Sequence, residues 1–366
     1  MVKSSLDDVL RPFIWSMNIL AQGNWPDRDW LGRPMETPRE LPLASGYKGV
    51  LANVRGDWAF YCELCGFPQW NCNDRMCWLC RASGTPGPLC WNKFADDAEW
   101  RDTLFTHGSY LRHLRVEGSS LPVLFGIIGL RLECFTIDVL HAVDQGVTSH
   151  LIANVLWIMV VVRACLGGRN QKERVELLIA HLNAWYKDVH CKSKVQGKLN
   201  VDRLRTKGGW PKLKAKAAAT RHMTHYALYI MVNFGSAETN DRCMLALCQL
   251  MVRFYELISS HSRTFPRAVI DEIKQIGQDF SNIYANLAAD AYQNGEKLWK
   301  LHPKLHLWVH LTVWGIEVWG NPRFYWTYSD EDLVGIMARA AKSVHSSNLV
   351  FSVLFKWLHG VFDCAE

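Results

Sequence analysis

"TIDVLHAVDQG", Thr136–Gly146, is the stretch on which the reading of the fold turns. Its first half closes the apolar run "PVLFGIIGLRLECFTIDVLH", rich in β-branched and aromatic residues, and that composition predicts a strand ending at Asp138. His141 follows three residues later, and a long helical pattern opens at Gly146. A carboxylate at a strand tip is a frequent metal ligand, and as often an ordinary loop acid. The rest of the chain has to decide.

Working outward, "SLDDVLRPFIWSMNILAQG" reads as a helix with Ser5 as cap, Asp7 and Asp8 in its first turn and Gly23 after its end. "GYKGVLANVRGDWAFYC" reads as a strand flanked by glycines, and "EWRDTLFTHGSYLRHL" as a weak helix. From Gly146 to about Lys300 the pattern is almost wholly helical. The clearest case is "RAVIDEIKQIGQDFSNIYANLAADAY", where Val269, Ile270, Ile273, Ile276, Phe280, Ile283 and Leu287 recur at helical spacing. The apolar run Val155–Val162 reads as a buried helix, far short of the roughly 20 residues of a membrane span, which implies a soluble protein. A further helix is expected from about Ser329, with Asp330, Glu331 and Asp332 in its first turn; acids there stabilise a helix end whatever else they do.

The 366 residues are 49% hydrophobic and 21% charged, which excludes a disordered chain. The net charge of +6 is unevenly spread. Lys187–Arg221 holds eleven Lys/Arg and two Asp, so that segment is strongly basic in an otherwise slightly acidic chain. Such localisation points to a polyanion partner, against the plain alternative of a solvated face.

Six of the twelve cysteines fall between Cys62 and Cys90. With no signal sequence read at the start of the chain, a reducing compartment is expected, where clustered thiols favour metal over disulfides. Cys77 and Cys80 form the better C-x2-C knuckle for zinc. Cys62 and Cys65 are a candidate second pair for a four-thiolate site; His107 and His141 compete for that place, and buried thiols are the bland alternative. His302, His306 and His310 recur every fourth residue and would share one helical face, which could bind metal; Pro303 sits inside the first interval, and the favoured reading is partly buried, hydrogen-bonded histidines.

Taken in order, these motifs resemble the catalytic region of a CACTA-type DDE transposase. "LDDVLRPFIWSMNILAQG" resembles the helix before the family's middle strand, and "GDWAFYCELCGF" its strand with an acid and a downstream glycine. "CWLC" is similar to its C-x2-C, "DVLH" to its D-x2-H at the second acid, followed by "QGVTSHLI". "PKLHLWVHL" and "NPRFYWTYSDEDLVG" resemble the approach to the helix with the glutamate.

The resemblance implies an α/β, RNase H-like core, partial here, with a zinc knuckle and a large all-α insertion. Its parts would be a helix and strand in 1–60, a Cys-rich insertion in 61–92, core strands in 93–145, a helical insertion in 146–300 and closing core helices in 301–366. The family's first acid lies on an earlier strand, so the chain is expected to be N-terminally truncated, with Asp57 the candidate to join Asp138 and Glu331. Such carboxylates hold Mg²⁺ or Mn²⁺ for two-metal DNA cleavage and strand transfer. Zn²⁺ would be structural, on Cys77, Cys80, Cys62 and Cys65 with His141 in support. DNA would meet Lys192, Lys194, Lys198, Arg203, Arg205, Lys207, Lys212, Lys214, Lys216 and Arg221. The resemblance further implies a nuclear location, transposon-end DNA as partner, no membrane, and room for a homodimer. The alternative is a non-catalytic, zinc-stabilised DNA- or protein-binding relict.

Overall fold

Asp138 begins a helix instead of ending a strand. Its Oδ1 accepts from the Leu140 amide at 3.3 Å and its Oδ2 from the His141 amide at 3.0 Å, so the carboxylate satisfies amide groups that the first helical turn leaves without partners. The same happens at Asp57, whose Oδ1 accepts from the Phe60 amide at 2.7 Å and caps the helix Trp58–Cys65. Gly66 closes that helix in the left-handed region, φ 63°. Both segments expected as strands thus turn helical at an aspartate, because a capping carboxylate favours the helix that follows it.

In this computed structural model, which describes residues 3–36, 42–342 and 344–358, the chain forms two compact units, Met1–Tyr325 and Trp326–Glu366. Among the described residues there is no β-strand, only isolated bridges such as Val54 with Phe135. This corrects the expected fold class: without a sheet there is no RNase H-like α/β core. The expectation failed because the β-branched run before Asp138 breaks into short 3-10 turns at Val123–Gly126 and Leu132–Cys134. Two glycines and an Arg–Glu pair interrupt its alternation.

The longer helices of the larger unit are α1 (Lys3–Gln22), α2 (Trp58–Cys65), α3 (His107–Val116), α4 (Leu140–Val162), α5 (Gln171–Asp188), α6 (Ala217–Phe234), α7 (Thr239–Ser260), α8 (Arg267–Gln293) and α9 (Pro303–Val309). α9 runs on without a break through Trp319. α4 begins and ends in wide π-helical turns, Leu140–Thr148 and Trp157–Val162. α6, α7 and α8 pack successively, while α4 lies against α6 and α9. On α8 the residues Ile273, Ile276, Phe280, Tyr284, Leu287 and Ala291 are buried at helical spacing. Gly277 lets α9 approach closely, since a Cβ there would collide with Thr312.

α4 and α7 are each long and apolar enough to cross a membrane, but 83% of the apolar window of α4 and 50% of that of α7 is buried within the protein. The apolar run from Val155 to Val161 is therefore mostly core, with Val162 exposed at its end, in a helix longer than the sequence pattern suggested. The smaller unit contains α10 (Tyr328–Lys342) and α11 (Leu349–Leu358), with Glu331 in the first turn of α10. Ser329, expected as the cap of that helix, lies inside it.

Candidate metal centre and the acidic pocket beside it

Cys77 and Cys80 lie on an irregular loop that a dense aromatic cluster holds in place. Trp78, between them, packs edge-on against Trp58 at 5.3 Å and Tyr61 at 5.6 Å, and stacks with Phe67 at 6.0 Å. The loop doubles back on itself, so that Leu79 N–H points at Cys77 Sγ (3.3 Å) and Ala82 N–H at Cys80 Sγ (3.4 Å). Amides aimed at sulfur favour thiolates.

Opposite them stand His306 and His310, one turn apart on the helix that starts with Pro303. Pro303 fits there because the first helical position needs no N–H partner. His306 Nε2 lies 3.4 Å from Cys80 Sγ, and His310 Nε2 lies 3.6 Å from Cys77 Sγ and 3.3 Å from Cys80 Sγ. The two Nε2 atoms are 3.0 Å apart, and all four ligand atoms fall within 4.8 Å of one another. With metal bonds of about 2.3 Å to sulfur and about 2.0–2.1 Å to nitrogen, a tetrahedral zinc site needs S–N edges of about 3.5 Å. The observed edges fit. All four residues are buried, and Trp100 covers the imidazoles at 4.2 and 5.2 Å. Burial opposes ionisation of Cys77, but Cys80 and the two imidazoles outweigh it and hold its pKa well below the ordinary thiol value. Cys80 is held well above that value by burial and by its neighbour Cys77. This is a buried Cys2His2 set able to hold a structural metal.

The set corrects the expected ligands. Cys62 and Cys65 do not join it: Cys62 Sγ points to the Pro68 carbonyl at 3.4 Å. Burial raises the Cys62 thiol to about 11 and the Cys65 thiol to about 12, as for structural cysteines. His141 and His107 are also elsewhere. His107 accepts from the Leu132 amide at 3.2 Å, and His302 stacks on His150 at 4.4 Å. The sequence did carry the right signal. C-x2-C followed by H-x3-H is zinc-ligand spacing, obscured by the sequence separation of 226 from Cys80 to His306.

Beside the metal centre is a pocket of about 180 Å³ that brings Asp57 and Asp138 together with His141 and Lys304. The Val54–Phe135 bridge is parallel, and each aspartate lies three residues beyond its end of the bridge. Backbone bonds from Val54 N to the Cys134 carbonyl (2.8 Å) and from Thr136 N to the Val54 carbonyl (3.1 Å) set that register. The Tyr61 hydroxyl, 2.7 Å from the Val54 carbonyl and 2.8 Å from that of Thr136, straps the two segments together. Asp138 is buried and holds His141 Nδ1 at 2.6 Å. Burial and nearby Lys212 lower Lys304 to about 8, against the opposing pull of Asp57 and Asp138. Tyr61 and Lys304 fall inside sequence motifs, but neither was singled out as a candidate.

The metal centre and the pocket share walls. Trp78 lies between the two ligating cysteines, and Lys304 and Leu307 stand beside the ligating His306; all three line the acidic pocket. Glu331, the expected third acid, belongs to the smaller unit.

The basic segment divides between structural and cleft roles. Arg221 pairs inside the protein with Asp144 at 2.9 Å, and Asp144 also accepts from the Tyr255 hydroxyl at 2.5 Å. Arg203 donates to the carbonyls of Gln196 and Lys214, and Arg205 donates to that of Gly209 and lies over Trp157. Arg203 stabilises the segment itself, and Arg205 and Arg221 tie it to α4. Lys212 and Lys214 alternate with buried Pro211 and Leu213 and line a second cleft, of about 460 Å³, that opens beside the acidic pocket. With Lys216 they also line a groove further on, and Lys192 lies in a separate hollow with His222 and His225. Lys194 and Lys198 are exposed; Lys194 approaches the Tyr186 ring at 5.9 Å. Lys207 is exposed on the turn beside Thr206, which lines the same cleft.

No family model, no curated protein and no solved structure matches this chain, so the site is interpreted from its own geometry.

Proposed function

We propose that this chain is a zinc-stabilised DNA-processing domain that cleaves phosphodiester bonds at Asp57 and Asp138. The observation that carries this reading is the convergence of the two carboxylates in one pocket that adjoins a lysine-lined cleft. Zinc is the metal the Cys2His2 set suits, given its mixed sulfur and nitrogen ligands and closed, buried geometry. The hard oxygens of Asp57 and Asp138 suit Mg²⁺ or Mn²⁺ instead. Each carboxylate caps the helix that follows it, and Asp138 also holds His141.

A divalent ion held there would supply Lewis acidity at a phosphoryl oxygen. The protein's own groups supply the rest. Lys212, Lys214 and Lys300 attract the phosphate backbone, and Lys304 offers a positive charge at the junction of the two clefts. Asp138 orients His141 as acceptor for the proton of the attacking water. The P–O bond to the leaving strand then breaks, its oxygen takes up a proton from solvent, and the water oxygen remains on phosphorus. The transposase-like activity implied by the sequence resemblance is kept here as a reading of the carboxylate pair and independent of the RNase H-like fold.

Lys304 favours a second reading. A lysine beside both acids offsets part of their charge, as a non-catalytic DNA-binding relict would require. Nicking of supercoiled DNA by the zinc-loaded protein separates the two. Mn²⁺-dependent nicking that is lost in Asp57→Asn and in Asp138→Asn supports cleavage. DNA retention with no nicking at any Mn²⁺ concentration leaves binding alone.

A further inference from the structure

We infer that the cleft next to the acidic pocket binds an unpaired nucleotide, so that the substrate strand is single-stranded where it crosses the protein. This deepens the DNA-processing reading and rests on it. Three tryptophans from separate segments meet in that cleft: Trp58 on α2, Trp70 in the loop that follows, and Trp210 within the basic segment. Lys212, Lys214 and Lys300 stand among them.

A lysine cluster alone binds any polyanion. Tryptophans interleaved with lysines add a feature only unpaired bases can use, because the faces of bases in a duplex are hidden in their own stack. Trp70 keeps 57% of its surface exposed, an indole left unpacked at the mouth of the cleft. Trp58 is fixed by donation from its Nε1 to the Pro68 carbonyl at 3.0 Å, which presents a positioned ring. The volume of about 460 Å³ lies within the range of ligand clefts, roughly 300–1,000 Å³, and admits one nucleotide.

Continuity gives the strand a path. Trp58, Trp70 and Lys304 line both this cleft and the acidic pocket, and Lys212 and Lys214 line both it and the basic groove beyond. A base held between the tryptophans would place its neighbouring phosphate toward Asp57 and Asp138. Gly146 leaves room for Lys304 at this junction: a Cβ there would come within 2.6 Å of the Lys304 side chain and push it aside.

The test is equilibrium binding in EDTA, which is independent of cleavage. Zinc-loaded protein, with the metal retained as verified by elemental analysis, is titrated with a twelve-residue oligothymidylate, a duplex of equal length, and heparin, a polyanion with no bases. The expected result is quenching of tryptophan fluorescence by oligothymidylate and preference for it over duplex. Trp70→Ala should weaken oligothymidylate binding roughly tenfold and leave heparin binding unchanged. Trp210→Ala should act likewise, with its circular dichroism melt compared with wild type; Trp70, at the surface, carries the test if Trp210→Ala unfolds. Equal affinity for duplex and single strand, or equal weakening of oligothymidylate and heparin by Trp70→Ala, would overturn the inference. Binding as expected without Mn²⁺-dependent nicking would uphold it and remove the cleavage reading alone.

Discussion

At the metal centre, two cysteines and two histidines more than two hundred residues apart aim their ligand atoms at one point, with Trp100 closed over them. At the acidic pocket a few residues away, each carboxylate already serves its own backbone as the cap of the next helix. Cys77 and Cys80 each take one local amide bond, but no local bond explains why His306 and His310 of a distant helix point at the same sulfurs; the capping bonds account for both aspartates where they stand. Side chains of distant segments that converge without a local reason speak for a ligand. Acids that cap helices need the added fact of their convergence beside a basic cleft before chemistry is assigned to them.

The largest expected effect breaks the comparison at the metal centre. Structural zinc contributes roughly 10–16 kcal/mol, at least as much as the typical total stability of a domain, roughly 5–15 kcal/mol. His310→Ala and Cys77→Ser should therefore lose the metal and the cooperative thermal transition together. Cys62→Ser and Cys65→Ser should keep one zinc per chain. Elemental analysis alongside calorimetry reads both, and zinc lost from the Cys62 or Cys65 variant would reverse the ligand assignment.

Next in size is the support under the acidic pocket. Phe135 is fully buried and packs on Tyr61 at 5.6 Å and Phe67 at 5.1 Å. Phe135→Ala should cost about 3–5 kcal/mol in urea unfolding and loosen the bridge that aligns Asp57 with Asp138. A loss below about 1 kcal/mol would mean that the aromatic cluster does not hold that register.

A smaller effect, up to about 2 kcal/mol between about pH 6.5 and 5, comes from His150, lowered to about 3 by burial first and then by Lys212. Its folded pKa lies below its unfolded value near 6.5, so its contribution is complete above that pH. It is lost as pH falls from about 6.5 toward 3, by up to about 1.4 kcal/mol per pH unit. Both proteins share the metal centre, so a flatter acid limb in His150→Gln isolates this residue. Identical limbs would contradict the buried neutral imidazole.

The smallest expected stability change sharpens the comparison most. Asp57→Ala should cost about 1 kcal/mol as a lost cap, whereas Asp57→Asn, an equally good cap, should cost only a few tenths. Both should abolish Mn²⁺-dependent nicking. Nicking retained in Asp57→Asn would leave Asp57 a cap and nothing more.

The helical body from Gly146 onward was legible because its apolar residues repeat at helical spacing, as α8 shows. The strands were misread at Asp57 and Asp138, where composition favoured an extended chain but a capping carboxylate decided the next turn. Half of the metal set was legible in C-x2-C. His306 and His310 had the right spacing, yet nothing local says that a helix so distant in sequence returns to the cysteines. The basic segment was visible as charge, but which arginines turn inward, as Arg221 does onto Asp144, depends on tertiary partners. Asp57 and Asp138 were singled out separately; the Tyr61 strap and the parallel bridge that join them come from packing that no motif encodes.

The most direct measurement of the central claim is zinc-edge X-ray absorption on the purified protein. The account predicts two sulfur ligands near 2.3 Å and two nitrogen ligands near 2.0–2.1 Å, lost with the metal in His310→Ala and unchanged in Cys62→Ser. Four sulfur ligands, or protein that folds with no metal bound, would contradict it.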